Sequence, residues 1–303
     1  MLAFVVRHSL LLMFLIAVLG FLLPSISLAI FPFLPIVLFF LMALTLLSMK
    51  QKLLIERLRS LAVWRYALLH AFIMMLVVAV FAKLLNFDHD LLLAVVGVAA
   101  TGSLFATPAI IRALGFDSLG AMAMTIASTL LLPISIVMAL LLFQEGPIDL
   151  DLVTYFIRLV IFIFGPMLIS FVVHAFCPEE KLQRVLAKIS PYTILLVFAF
   201  PFGLVGSFRL LFDTDPWMAL NYFLIAIGLC CIFFGLAYCF YRRYGKAVAL
   251  TAGLTSANRN VLLTYSIAGG LLGPAFLPMV GALQIPTSVL PVIVRWLNKV
   301  LKD

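Results

Sequence analysis

The sequence predicts an all-α integral membrane protein in which ten transmembrane helices form two inverted five-helix repeats. Three observations predict this. The chain is 66% apolar and 11% charged, it divides into apolar stretches of about 20 residues, and a polar pattern centred on glycine recurs in its second half. Soluble domains are roughly half apolar and a quarter charged. Most of this chain therefore needs lipid as its solvent.

The apolar stretches run over 8–28, 31–49, 62–85, 91–113, 118–143, 152–176, 191–211, 217–240, 247–269 and 273–297. At 1.5 Å per residue, a helix of about 20 residues crosses a hydrocarbon core about 30 Å thick. The connections are short and polar. None approaches the roughly 50 residues of an independent soluble domain, so the function is expected inside the membrane part.

The net charge of +8 does not read as nucleic-acid binding, because no basic stripe interleaved with aromatic residues occurs. The charges follow the connections instead. Lys50, Lys52, Arg57, Arg59 and Arg65 crowd the second one. Arg112, then Lys181, Arg184 and Lys188, then Arg242, Arg243 and Lys246 lie on alternate connections after it. With Arg7, Arg295, Lys299 and Lys302, 16 of the 20 basic residues fall on one side of a ten-span arrangement. By the positive-inside rule both termini are expected to be cytoplasmic, in a bacterial-type inner membrane. The opposite connections carry acids: Asp88 and Asp90, Glu145, Asp149 and Asp151, Asp213 and Asp215. Arg7, the first apolar run and Ser27-Leu28-Ala29 also have the form of a cleavable signal peptide. The run is long for that role, and the repeat needs the helix. Cys177, Cys230, Cys231 and Cys239 lack metal-ligand spacing and read as small core residues.

Span four contains Thr101-Gly102-Ser103-Leu104-Phe105-Ala106-Thr107-Pro108, and span nine contains Ala252-Gly253-Leu254-Thr255-Ser256-Ala257-Asn258-Arg259. Gly102 aligns with Gly253 and Ala106 with Ala257, an offset of 151 residues; Leu132-Pro133-Ile134-Ser135 matches Ile285-Pro286-Thr287-Ser288 at an offset of 153. The repeats are 1–146 and 147–303. Five spans per repeat force the second copy to enter the membrane from the other side, which is a transporter architecture. Polar runs in the middle of apolar helices must face protein, water or ligand, since an unsatisfied backbone group in hydrocarbon costs several kcal/mol. Unwinding is predicted near 101–108 and 252–260; the alternative is that these are tight helix-packing faces.

On these residues the chain resembles the bile acid:sodium symporter family. The anchors are the run from Leu91 to Pro133, with Ala127-Ser128-Thr129-Leu130-Leu131-Leu132-Pro133, and the run from Lys246 to Trp296, with Gly253 and Gly281-Ala282-Leu283. The resemblance implies ten helices with crossing broken helices four and nine. It implies a core domain from the spans at 62–143 and 217–297 and a panel domain from those at 8–49 and 152–211. Substrate, a small organic anion, would bind between the two, and one domain would move against the other. Auxin-efflux-type carriers share a related architecture.

The chain departs from the family at the residues that hold sodium there. Thr251 and Thr255 replace a glutamate and a glutamine, Ala106 and Thr107 replace a Ser-Asn pair, and Ala121 and Thr125 replace two hydroxyl positions. His70 replaces an amide in span three. A degenerate cation site of Thr251, Thr255, Thr107, Thr125, Ser128 and His70 would carry no formal negative charge. Sodium coupling is therefore not expected from these residues, and no Asp or Glu lies well inside a span to relay protons.

Arg259, between Asn258 and Asn260, is the one Lys or Arg near the middle of a span. A central arginine costs at least about 2.5–3.5 kcal/mol, so it needs an aqueous cavity, a polar partner or an anion. Its fork suits a carboxylate, sulfate or phosphate. Two roles stand side by side: binding the substrate anion with Asn258, Asn260, Ser256, Thr107 and Pro108, or bonding carbonyls freed by the helix break. His70 likewise is either a proton-coupling group, its ordinary pKa being near 6.5, or a histidine bonding a neighbouring carbonyl.

Other classes remain in view. Asp88/Asp90, Asp149/Asp151 and Asp213/Asp215 have the spacing of residues that bind magnesium diphosphates, although Asp at such positions commonly caps helices. An uncoupled channel and a ligand sensor share the geometry of a carrier. No cofactor is expected, and sodium or a proton is the candidate coupling ion.

Overall fold

The computed structural model describes residues 8–145, 151–189 and 192–300; Arg7, Asp149 and Lys302 of the charge argument lie outside them. The described residues are helical and form no strand, with one isolated bridge between Ser103 and Arg259. In chain order the helices are α1 (Ser9–Leu22), α2 (Pro24–Leu47), α3 (Gln51–Leu58), α4 (Leu61–Leu84) and α5 (His89–Ala99). They continue with α6 (Thr107–Ala113), α7 (Ser118–Phe143), α8 (Val153–Phe176), α9 (Glu179–Ile189) and α10 (Thr193–Thr214). The last are α11 (Pro216–Tyr244), α12 (Lys246–Ala257), α13 (Val261–Ala268) and α14 (Phe276–Val300).

Seven of these, α2, α4, α7, α8, α10, α11 and α14, are long and apolar enough to cross a membrane. Their outward faces carry exposed large apolar side chains such as Leu141, Phe171 and Leu224, as lipid contact requires. The protein is a multi-pass membrane protein.

The turn between the first two spans falls at Leu23, not after Leu28 as the sequence predicts. Pro24 has no amide hydrogen and drives the preceding residue out of helical geometry; Leu23 has φ −118° and ψ 61°. Phe31–Phe33 is then only a tighter turn inside α2. The unwound stretches are also shorter than predicted. Span four breaks over 100–106 and span nine over 258–260. Residues 252–257 stay helical in α12 and Pro108 sits in the first turn of α6, where a missing amide hydrogen costs nothing. Only Cys230 is buried; Cys177, Cys231 and Cys239 are exposed, so three of the four are not core residues.

The loop aspartates cap helices. Asp88 accepts from the Leu91 amide, Asp117 from those of Leu119 and Gly120, and Asp215 from that of Met218. Asp151 accepts from the amides of Val153 and Thr154 and from the Thr154 hydroxyl, and this hydroxyl holds its carboxyl below the usual range.

The most extensive packing joins α10 to α14; α10 also packs on α1 and α2, α8 on α2, α4 on α5 and α7, α11 on α12 and α14, and α5 on α14. α10 and α1 meet α14 along one seam. Gly281 of α14 lets the backbones close there: a Cβ at this position would stand 2.8 Å from the Leu204 carbonyl oxygen of α10. Gly228 of α11, by contrast, faces open space.

Gly281→Val is expected to destabilise the protein by about 1–3 kcal/mol through overpacking against backbone that cannot yield. Gly228→Ala should be neutral or stabilising by up to about 1 kcal/mol, since only helix propensity changes. Melting temperatures of the two variants in detergent check the contrast.

Candidate functional site

A break in a helix frees backbone donors and acceptors, and in hydrocarbon these must be satisfied by the protein itself. Here the two breaks satisfy one another. The Leu104 amide donates to the Asn258 carbonyl at 2.8 Å, and the Asn260 amide donates to the Gly102 carbonyl at 2.8 Å. These bonds flank the antiparallel bridge of Ser103 and Arg259. Gly102 is needed for the approach, because a Cβ on it would lie 3.1 Å from Cα of Thr129 on α7. The two interrupted spans therefore cross, backbone to backbone.

Arg259 is 4% exposed and is the only Lys, Arg, Asp or Glu among the buried described residues. Its Nη1 donates to the carbonyls of Ala99 at 2.9 Å, Thr101 at 3.1 Å and His70 at 3.1 Å. The first two belong to the frayed end of α5. The third comes from a wide turn over Leu69–Ile73 within α4, a geometry that shifts carbonyls out of the ordinary ladder. Nη2 contacts Sδ of Met74 at 2.9 Å, and the guanidinium carbon lies 3.9 Å from the centre of the Phe233 ring. Of the two roles stated for Arg259, the bonding of freed carbonyls is the one whose geometry is present. Nη1 is directed into backbone and Nη2 onto the Met74 thioether, while Nε has no protein partner.

His70 has a defined tautomer by the same reasoning. Its Nε2 lies 3.0 Å from the Thr101 carbonyl, which only accepts, so Nε2 carries the hydrogen. Its Nδ1 then accepts from the Tyr66 hydroxyl at 3.2 Å or the Ser256 hydroxyl at 3.3 Å. The Tyr66 oxygen lies 2.9 Å from Oγ of Ser103, and Oγ of Ser128 accepts from the Ser103 amide. One directed chain results: Ser103 to Tyr66, Tyr66 to His70, His70 to Thr101. It ties α4 and α7 to the crossover, and its members are fully buried.

The residues expected at the site are thereby distributed over different tasks. Ser256 bonds Sδ of Met74 and belongs to the buried network. Asn260 accepts from the Leu263 amide at the start of α13. Among the cation-site candidates, Ser128 and His70 are joined through Ser103 and Tyr66. The hydroxyls of Thr107, Thr125 and Thr255 are buried without a protein partner. Thr251 lines a separate cavity of about 260 Å³ beside Met124, Tyr241 and the Arg57–Asp117 ion pair.

Asn258 is placed differently. It borders a cavity of about 30 Å³ on the seam, whose walls include Met13, Val197 and Pro201 on one side and Leu104, Thr287 and Ser288 on the other. Arg259 also borders it, so the one buried charge acts on this space without an intervening carboxylate. Sequence reasoning missed Tyr66, Ser103 and Met74, although Tyr66 and His70 are a helical i,i+4 pair. Thr287 and Ser288 were visible only as repeat markers.

The sequence matches no protein-family model and no curated protein.

Tyr66→Phe removes the link between Ser103 and His70 and is expected to cost about 1–3 kcal/mol, the range for a buried partner left unsatisfied. Ser128→Ala should cost a similar amount. The double variant should lose less than the sum, because both act through Ser103; thermal unfolding of the three proteins gives the coupling.

Proposed function

We propose that this chain is a secondary transporter that carries a small organic anion by alternating access, as a divergent relative of the bile acid:sodium symporters. In this reading the chain crosses the membrane ten times. The seven long helices are joined by α1, by the pair α5/α6 and by the pair α12/α13, which are spans four and nine. Helices α1, α2, α8 and α10 are the panel, and the other spans are the core. Both termini lie on the basic, cytoplasmic side of an inner membrane.

The observation that carries the reading is the backbone crossover of two interrupted helices, one from each half of the chain, directly beside a cavity on the seam that Asn258 and Arg259 border. Discontinuous helices at a repeat interface are where such carriers bind their cargo. A space of about 30 Å³ is closed around its site, so cargo enters only when panel and core part. Asn258 keeps one amide hydrogen beyond the one it gives to the Leu254 carbonyl, whereas the hydroxyls of Thr287 and Ser288 donate to Leu283 and Gln284 of their own helix and present lone pairs to the cavity. The uncompensated charge of Arg259, acting across a few ångströms of low dielectric, makes the site favour an anion. One aspartate of each pair, Asp88, Asp151 and Asp215, is engaged as a helix cap, and Asp213 is paired with Arg209, which weighs against the diphosphate-enzyme reading.

Purified protein in liposomes is expected to take up organic anions saturably and to exchange them, with uptake unchanged when choline replaces sodium. Ser288→Leu, which fills the cavity from the core side, should lower uptake about tenfold or more, equivalent to about 1.4 kcal/mol, while the protein stays folded. Ligand binding with no flux would identify a sensor instead, and non-saturating flux a channel.

A further inference from the structure

The Nη1 nitrogen of Arg259 carries two hydrogens, yet three carbonyl oxygens stand at 2.9, 3.1 and 3.1 Å from it. One of the two hydrogens is therefore shared between two acceptors, so the nitrogen sits among three oxygens. The oxygens come from two elements, α4 and the end of α5, and they converge on one point. The thioether of Met74 and the face of Phe233 close two further sides. Each is a neutral group that presents electron density to a positive charge. A ring of backbone carbonyls around one centre is how proteins coordinate a dehydrated monovalent cation.

We propose that this cage is a monovalent-cation site whose occupant is tethered to the chain: the guanidinium of Arg259 stands where a free cation would bind. A covalently attached cation cannot leave, so its presence does not depend on the ions outside. Removing the side chain while keeping the backbone uncovers a site for free guanidinium or an alkali-metal ion. The cage rests on the crossover geometry alone. Its consequence for uptake, independence from sodium, rests on the transport reading, so the test uses stability rather than flux.

Wild type and Arg259→Ala are purified in detergent, and melting temperatures are measured in guanidinium, sodium, potassium and choline chlorides at low, equal ionic strength. Wild type is expected to melt at the same temperature in all four salts. Arg259→Ala should melt lowest in choline and rise saturably with guanidinium, with or without a response to an alkali ion. Indifference of the variant to all four salts overturns the proposal, as does a wild type that responds as strongly as the variant. If Arg259→Ala cannot be obtained folded in any salt, Arg259→Lys decides: a folded, salt-indifferent protein supports the tethered cation, and a protein as unstable as the alanine variant overturns it.

Discussion

In lipid, a backbone group without a partner has no water to fall back on, and the centre of this protein is arranged around that constraint. Two helices are broken at the same depth, and each break supplies the other with what it lacks. The paired bonds at Leu104–Asn258 and Asn260–Gly102 leave the carbonyls of Ala99 and Thr101 still to be satisfied at the end of α5. Arg259 serves both, and reaches the His70 carbonyl released in α4. The imidazole of His70 adds a second donor to Thr101. Glycine at 102, arginine at 259 and the wide turn at Leu69–Ile73 are thus parts of one solution.

How much of this was legible in the sequence depends on which interaction fixed each part. Membrane character and most of the spans follow from composition and length, which are additive properties. The breaks were readable because Gly, Ser, Thr and Asn in mid-span advertise a backbone that needs help. Their limits were not: whether residues 252–257 unwind depends on whether α12 finds neighbours, and Gly253 packs against Phe234 of α11 while the helix continues. The direction of the Arg259 side chain was equally hidden. Sequence shows a charge needing a partner, whereas the partner is three carbonyl groups, which every residue possesses. Cys231 and Cys239 were misread because an apolar span has a lipid face as well as a core face, and spacing within it does not assign small residues to either.

Placing the charge beside the cavity instead of inside it has consequences for selectivity. A guanidinium that grips an anion directly releases it only by breaking strong charge-assisted bonds. Held by carbonyls a short distance away, it contributes a positive potential, while the second amide hydrogen of Asn258, not used by Leu254, is the weaker, replaceable donor. A carrier needs binding tight enough to select and loose enough to let go, and under the proposed function this division of labour would serve both.

The same arrangement decides which parts of the molecule can move. The crossover is joined to α4, α7 and α12 by a continuous buried network from Ser128 through Tyr66 and His70 to Arg259. Any motion that parts the two breaks exposes several backbone groups at once and is costly in a water-free interior. At the seam the contacts are of another kind. Ser207 of α10 donates to the Leu277 carbonyl of α14, and Tyr155 of α8 to the Pro133 carbonyl of α7. Otherwise apolar side chains meet across small residues such as Gly281. Apolar contact is non-directional and can be remade after sliding, whereas the crossover has one set of partners. The crossover and the less bonded seam therefore lie side by side, with the cavity between them, and in the proposed transport cycle parting the seam would expose the site while the crossover stays intact.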